Sequence, residues 1–114
     1  MSHTIVHPLQ NLDCYRAAKS FATCVHHARI DDAELRDHAT RAAKSCFLNL
    51  AEGLPLDSKP MRRRFFSTAR ASLVESVAAL DLALAIGAVS EDAAREALAV
   101  AAGLLAMLTR LGRA

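Results

Sequence analysis

Residues 94–111 restrict the fold more than any other stretch of the chain. Read as a helix, they carry two apolar stripes. Ala94, Leu98, Ala101, Leu105 and Leu108 form one, and Ala97, Val100, Leu104, Met107 and Leu111 form the other. The positions between them, Ala99, Ala102, Gly103 and Ala106, are small. A helix in a four-helix bundle needs one apolar face, so the second stripe requires a cover. A bilayer is excluded, because the uncharged run 97–109 has about 13 residues where a span needs roughly 20. Leaving the stripe in water would expose a contiguous apolar patch, which lone soluble proteins avoid. The remaining cover is another copy. Val100, Gly103, Leu104, Met107 and Leu111 are therefore the expected oligomer interface, with each large side chain contributing about 1.5–3 kcal/mol when fully buried. Leu82 and Ile86, off the core stripe of the preceding helix, extend the same expectation.

Breaker and cap residues divide the rest. The 114 residues fit a single domain, 1–114, with a modest core. Alanine and leucine dominate an apolar fraction of 53%, and only four Gly and three Pro interrupt it, so the composition is helical and globular. Helices are predicted over about 12–28, 32–52, 59–86 and 91–111. Asn11 is the expected cap of the first, whose stripe is Leu12, Tyr15, Ala18, Phe21 and Val25. Asp31 with Glu34 reads as an acidic capping box for the second. Its stripe is Leu35, Ala39, Ala42, Cys46 and Leu50, and Gly53 is expected to close it in a left-handed conformation. Ser58 caps the third, with Pro60 in its first turn, and Gly87 ends it. Phe66, Ala69, Leu73, Val77, Leu80 and Leu84 are its core positions. Ser90 caps the fourth, with Glu91 and Asp92 in the first turn and Gly112 at the end. Short connections make neighbouring helices antiparallel, so the expected fold is all-α, an up-down-up-down four-helix bundle that forms a homo-oligomer.

Chemistry-bearing residues are few. Three cysteines with no paired spacing argue against a disulfide framework and for a reducing, cytoplasmic setting, as does the lack of a secretory leader pattern in residues 1–10. Cys24 and His26 point about 200° apart on a helix and share no local metal site. No Glu-x-x-His pair marks a di-metal bundle and no glycine-rich phosphate loop occurs. Cys46 falls on a core stripe and reads as an inert thiol. No catalytic residue, metal or cofactor is expected.

Polar residues gather on two helices. Arg41, Ser45, Asn49 and Glu52 are spaced four, four and three along the second. Arg70, Ser72 and Glu75 follow the basic run Arg62, Arg63 and Arg64 on the third. Equal rise about the short connection brings Arg41 level with Glu75, Arg70 with Ser45, and Glu52 with Arg63 or Arg64. One reading is a bracing network between helices. The other is a surface for a ligand or nucleic acid.

The run from Arg41 to Gly53, with Arg41, Ser45, Asn49, Ala51, Glu52 and Gly53 in place, resembles a signature of the four-helix-bundle family encoded in intervening sequences of bacterial large-subunit ribosomal RNA genes. Phe66, Ala69, Arg70, Ser72 and Glu75 match a second signature, with Ala71 where that family usually has glycine. Leu12, Tyr15, Ala18 and Phe21 fit its first helix more loosely. The resemblance implies a cytosolic bundle, often pentameric, without an established enzymatic activity.

These observations together lead to a non-enzymatic cytoplasmic scaffold or adaptor that pairs with itself, as a homopentamer by the resemblance, and with another protein, and that has no membrane partner. The alternative is an RNA- or DNA-binding protein using Arg62, Arg63 and Arg64, multiplied by ring symmetry. A net charge of +2 does not by itself imply nucleic acid, but phosphate contacts sum across copies.

Overall fold

The computed structural model describes residues 12–113. Four helices follow one another: α1 (Asp13–His27), α2 (Ala33–Gly53), α3 (Lys59–Ala85) and α4 (Glu91–Arg113). No strand occurs among the described residues. Nor, among them, is any helix long and apolar enough to cross a membrane.

The helix ends show which local signals were sufficient. Ser58 accepts from the Met61 N–H at 3.4 Å, and Ser90 from the Ala93 N–H at 3.2 Å. Asn11 lies outside the described residues, and Leu12 at the start of α1 makes no side-chain cap bond. Asp32, rather than Asp31, caps α2, accepting from the Leu35 N–H at 2.9 Å. Asp31 is occupied by its backbone, which donates to the Ala88 carbonyl at 2.6 Å and so ties the α1–α2 connection to the α3–α4 connection. The displacement of the cap follows from Arg29, which holds a left-handed conformation (φ 55°) that sequence patterns assign to glycine. Ile30 is buried just beyond it.

Two glycines behave differently from each other. Gly87 ends α3 with φ 76°, the left-handed conformation expected there. Gly53 does not adopt that conformation and is the last residue of α2. A Cβ on it would lie 2.8 Å from Phe66 Cε1 and 2.9 Å from Phe65 Cβ. Glycine is therefore required by the close approach of α3, not by its backbone angle. Gly112 does not end α4, which continues through it to Arg113.

Each helix packs on two others, α1 on α2 and α4, and α3 on α2 and α4. One core takes residues from all four, with Phe21, Leu50, Phe66, Leu73, Leu80, Leu104 and Leu108 among its largest fully buried side chains. Along α2 and α3, Gly53 meets Phe66, Ser45 meets Ser72, and Ala39 meets Ser76. Ala39, Ala42, Ala43 and Ala69 are all buried, and their small side chains let backbones approach. The tilted Tyr15 and Phe47 rings, 4.9 Å between centroids, join α1 to α2.

The two stripes of α4 do not divide into a core face and an interface face. Ala94, Ala97, Ala101, Leu104 and Leu108 are buried, and they come from both stripes. Leu104 is fully enclosed in its own protomer, so its assignment to an oligomer interface is incorrect. The physical reason is angular. At 100° per residue the stripes lie close enough for the core direction to bisect them. Their inner edges turn inward, and their outer edges become half-buried flanks. Leu98 and Leu105 flank the α3 side, while Met107 and Leu111 border a depression shared with Leu12 and Cys14 of the α1 end. Val100 is also half-buried, and Ala99, Ala102, Gly103 and Ala106 face outward.

Candidate functional site

The polar residues of α2 and α3 meet at the level expected from the short connection, but through different bonds. The Ser45 and Ser72 hydroxyls lie 2.8 Å apart. Asn49 donates from Nδ2 to the Ser45 carbonyl at 2.8 Å and to Ser45 Oγ at 3.2 Å. Ser76, fully buried, donates to the Ala39 carbonyl at 2.8 Å. The Ser45–Ser72 and Ser76–Ala39 bonds therefore link these helices, each contributing about 0.5–1.5 kcal/mol net, while the Asn49 bonds stay within α2. Every buried side-chain polar atom among the described residues has a partner.

The ionic part of the expected brace does not form. The ion pairs among the described residues are Arg16–Asp13 and Arg95–Glu91, both within one helix. Arg41 and Glu75 do border the same depression, with His38 and Ser45, in a volume of about 300 Å³. Arg41, however, turns its Nε to the Asp37 carbonyl of its own helix at 3.3 Å. Glu52 is exposed and pairs with neither Arg63 nor Arg64. Arg70 bonds away from α2: its Nε donates to Thr109 Oγ1 on α4 at 3.2 Å. Long charged side chains gain little by pairing in water and lose rotamer freedom, so level placement alone does not produce an exposed ion pair.

Arg62, Arg63 and Arg64 also separate by role. Arg62 is half-buried and donates to the Leu54 and Leu56 carbonyls at 3.3 and 3.2 Å, with its guanidinium 5.4 Å from the Phe66 ring centre. It clasps the α2–α3 connection, with Nη1 committed to those two carbonyls. Arg63 and Arg64 are exposed. Together with Lys59 they stand in the first two turns of α3, whose first turn holds no acid. Cations there oppose the helix dipole at about 0.3–1 kcal/mol each.

Between α3 and α4 runs an apolar groove of about 350 Å³, lined by Leu73, Val74, Val77, Leu98, Ala102 and Leu105. Val74 is 48% exposed. No charged residue lines this stretch.

A family model for the 23S rRNA-intervening sequence protein matches residues 10–110. The chain belongs to that family. No curated protein matches the chain. The matched span contains both motif runs, and the structure gives several of the family's residues a packing role. Gly53 admits the Phe65–Phe66 turn of α3, Ser45 and Ser72 bond the two helices, Asn49 holds Ser45 from within α2, and Ala69 is buried between the helices. Ala71, standing where the signature has glycine, is exposed.

The cysteines of this family member are separate from one another. Cys46 is enclosed in the core, and burial pushes its thiol up to about 12. Cys24 lies 3.7 Å from Glu96 Oε1 on α4, where partial burial and then the neighbouring carboxylate both raise its pKa. Burial raises Cys14 as well. Raised values disfavour the nucleophilic thiolate. His26 and His27 stack edge to face with centroids 5.1 Å apart. Among the described residues no three His, Cys, Asp or Glu side chains converge on a common point.

Sequence reasoning missed Ser76, Thr109 and Arg113. Ser76 was hidden because the core stripe of α3 was drawn through its apolar neighbour Val77, whereas Ser76 is fully buried and Val77 half-buried. Thr109 and Arg113 could have been found by applying the level-pairing rule to α3 and α4, as it was to α2 and α3.

Proposed function

We propose that this protein is a non-enzymatic cytoplasmic scaffold. In this reading an antiparallel up-down-up-down bundle assembles with its own copies through α3 and α4 and offers its remaining surface to a protein partner. The resemblance favours a pentamer. The successive meetings of Gly53 with Phe66, Ser45 with Ser72, and Ala39 with Ser76 support the antiparallel course.

The single observation that carries the reading is the uncharged groove of Val74, Val77, Leu98, Ala102 and Leu105. It replaces the set expected from sequence: Leu104 is withdrawn into the core, Gly103 faces outward, and Val100, Met107 and Leu111 remain at the flank. Val74, Val77, Leu98 and Leu105 already bury part of their surface. Each would gain roughly half of the 1.5–3 kcal/mol of a complete burial, so the four contribute about 3–6 kcal/mol per protomer towards offsetting the cost of association. A second copy suits the groove because small outward residues, Ala99, Ala102, Gly103 and Ala106, let another backbone approach closely. The polar motif supports a non-catalytic role, since Ser45, Asn49 and Ser72 spend their hydrogen bonds on each other.

Light scattering at micromolar concentration tests the assembly. A mass several times 12.2 kDa is expected. A single mass of 12.2 kDa would contradict it. Purification from its own cells tests the partner: a reproducible polypeptide at fixed stoichiometry is expected, and co-purification of nucleic acid alone would count against the adaptor.

A further inference from the structure

Three guanidiniums that helix packing leaves unneutralised converge where the first half of α3 passes the end of α4. Arg63, Ser67 and Arg70, spaced four and three, come from α3, and Thr109 and Arg113, spaced four, from α4. They line a cleft of about 320 Å³ together with the nearly inaccessible Phe66 and Leu108. Thr109 accepts from Arg70 Nε at 3.2 Å and donates to the Leu105 carbonyl at 2.8 Å. That bond orients Arg70 and leaves its two terminal amino groups over.

No carboxylate pairs with Arg63, Arg70 or Arg113 among the described residues, Glu52 and Asp57 at the adjoining end of α2 included. No acidic side chain lies between Ser58 and Val74, nor between Glu96 and Arg113. Those two stretches instead hold Lys59, Arg62, Arg63, Arg64, Arg70, Arg110 and Arg113. Apart from Arg62, all of these are exposed.

We propose that this cleft binds phosphate groups, and that its ligand is the phosphodiester backbone of a nucleic acid. A guanidinium presents paired N–H donors that match phosphate oxygens, and Ser67 adds a neutral hydroxyl. Lys59, one turn before Arg63, and Arg64 are also exposed and extend the positive field beyond the cleft, which suits a ligand with more phosphates than the cleft holds. Phe66 is buried and Phe65 half-buried, so no exposed ring is offered to a base, and contacts go to the backbone without sequence readout. The set differs from the basic run read from sequence: of that run Arg63 alone lines the cleft, and Arg70 and Arg113 enter. The cleft is complete within one protomer, so the inference does not rest on self-association.

The test is titration of a fluorescein-labelled duplex RNA at several salt concentrations, with inorganic pyrophosphate in a parallel arm. Wild type is expected to bind the RNA with a steep salt dependence. Arg63→Gln and Arg113→Gln, both at exposed sites that spare the fold, should each weaken binding roughly tenfold at about 50 mM salt. Each should also lower the salt slope by about one. Arg95→Gln and Lys19→Gln remove the same charge outside the cleft and should change affinity less than about twofold. Unchanged binding by the Arg63→Gln/Arg113→Gln double variant would overturn the cleft, and so would an equal loss in Arg95→Gln. Pyrophosphate binding that needs Arg63 and Arg113, with no RNA binding, would overturn the nucleic-acid ligand.

Discussion

The same two helices build an apolar groove along one stretch and a cationic cleft along the next. Around Val74, Val77, Leu98 and Leu105 no charge lines the surface. One to three turns away, Arg63, Arg70 and Arg113 share a cleft with no acid. Packing beneath is continuous, with Phe66, Leu73, Leu104 and Leu108 all fully buried. The contrast therefore arises outside the core, in residues that the fold does not require. An apolar stretch suits a partner of like surface, and an unneutralised cationic stretch suits an anion.

The largest expected effect separates core from groove at adjacent positions. Leu104→Ala should cost about 2–5 kcal/mol of folding stability, as a fully buried leucine does. Leu105→Ala should cost clearly less in a dilute, dissociated sample and should act chiefly on self-association. Denaturant melts of both variants make the comparison. Equal losses of folding stability would dissolve the distinction between the two faces of α4.

A smaller effect is expected at the cationic end. Lys59→Glu places a negative charge at the start of α3 and should raise stability by about 0.3–1 kcal/mol, seen as a higher thermal midpoint. The same variant should leave the assembly mass unchanged. A fall in stability would mean that this end is already neutralised, and the contrast between the two stretches would weaken.

The smallest effect near neutrality is the core thiol, which serves as a reference for both stretches. Cys46 holds its proton up to about 12, whereas its ordinary value is 9.0. The folded chain keeps the proton longer than the unfolded chain. Its contribution to stability is therefore complete below about 9 and lost as pH rises from there towards about 12. Chemical melts from neutral to alkaline pH should show that loss, and Cys46→Ala should reduce it. Ready alkylation of Cys46 in the native state at neutral pH would show that the core beneath the groove opens.

Much of the fold was legible because its signals are local. Ser58, Ser90 and Gly87 sit where their chemistry is needed, and the spacing of Phe21, Leu50, Phe66 and Leu80 marks the inner faces. Arg29 was not legible, since nothing in its side chain announces a left-handed angle. The candidate sites were legible in level but not in bonding. The short α2–α3 connection set Arg41 and Glu75 at one depression as expected and Ser45 beside Ser72 instead of Arg70, yet it could not tell whether Arg41 would choose Glu75 or the Asp37 carbonyl. Competition with water decides that choice. The division of α4 into buried and flanking leucines depended on the direction of the core, which a double stripe leaves undetermined.

Self-association through the apolar stretch is tested most directly by sedimentation equilibrium of wild type beside Ala102→Glu. Ala102 is exposed on the groove, so the new carboxylate should spare the fold while placing a charge where a second copy would dry it. The expected result is a multimeric wild type and a helical Ala102→Glu variant of 12.2 kDa. Equal masses for the two proteins, whether multimeric or monomeric, would contradict assembly through this groove.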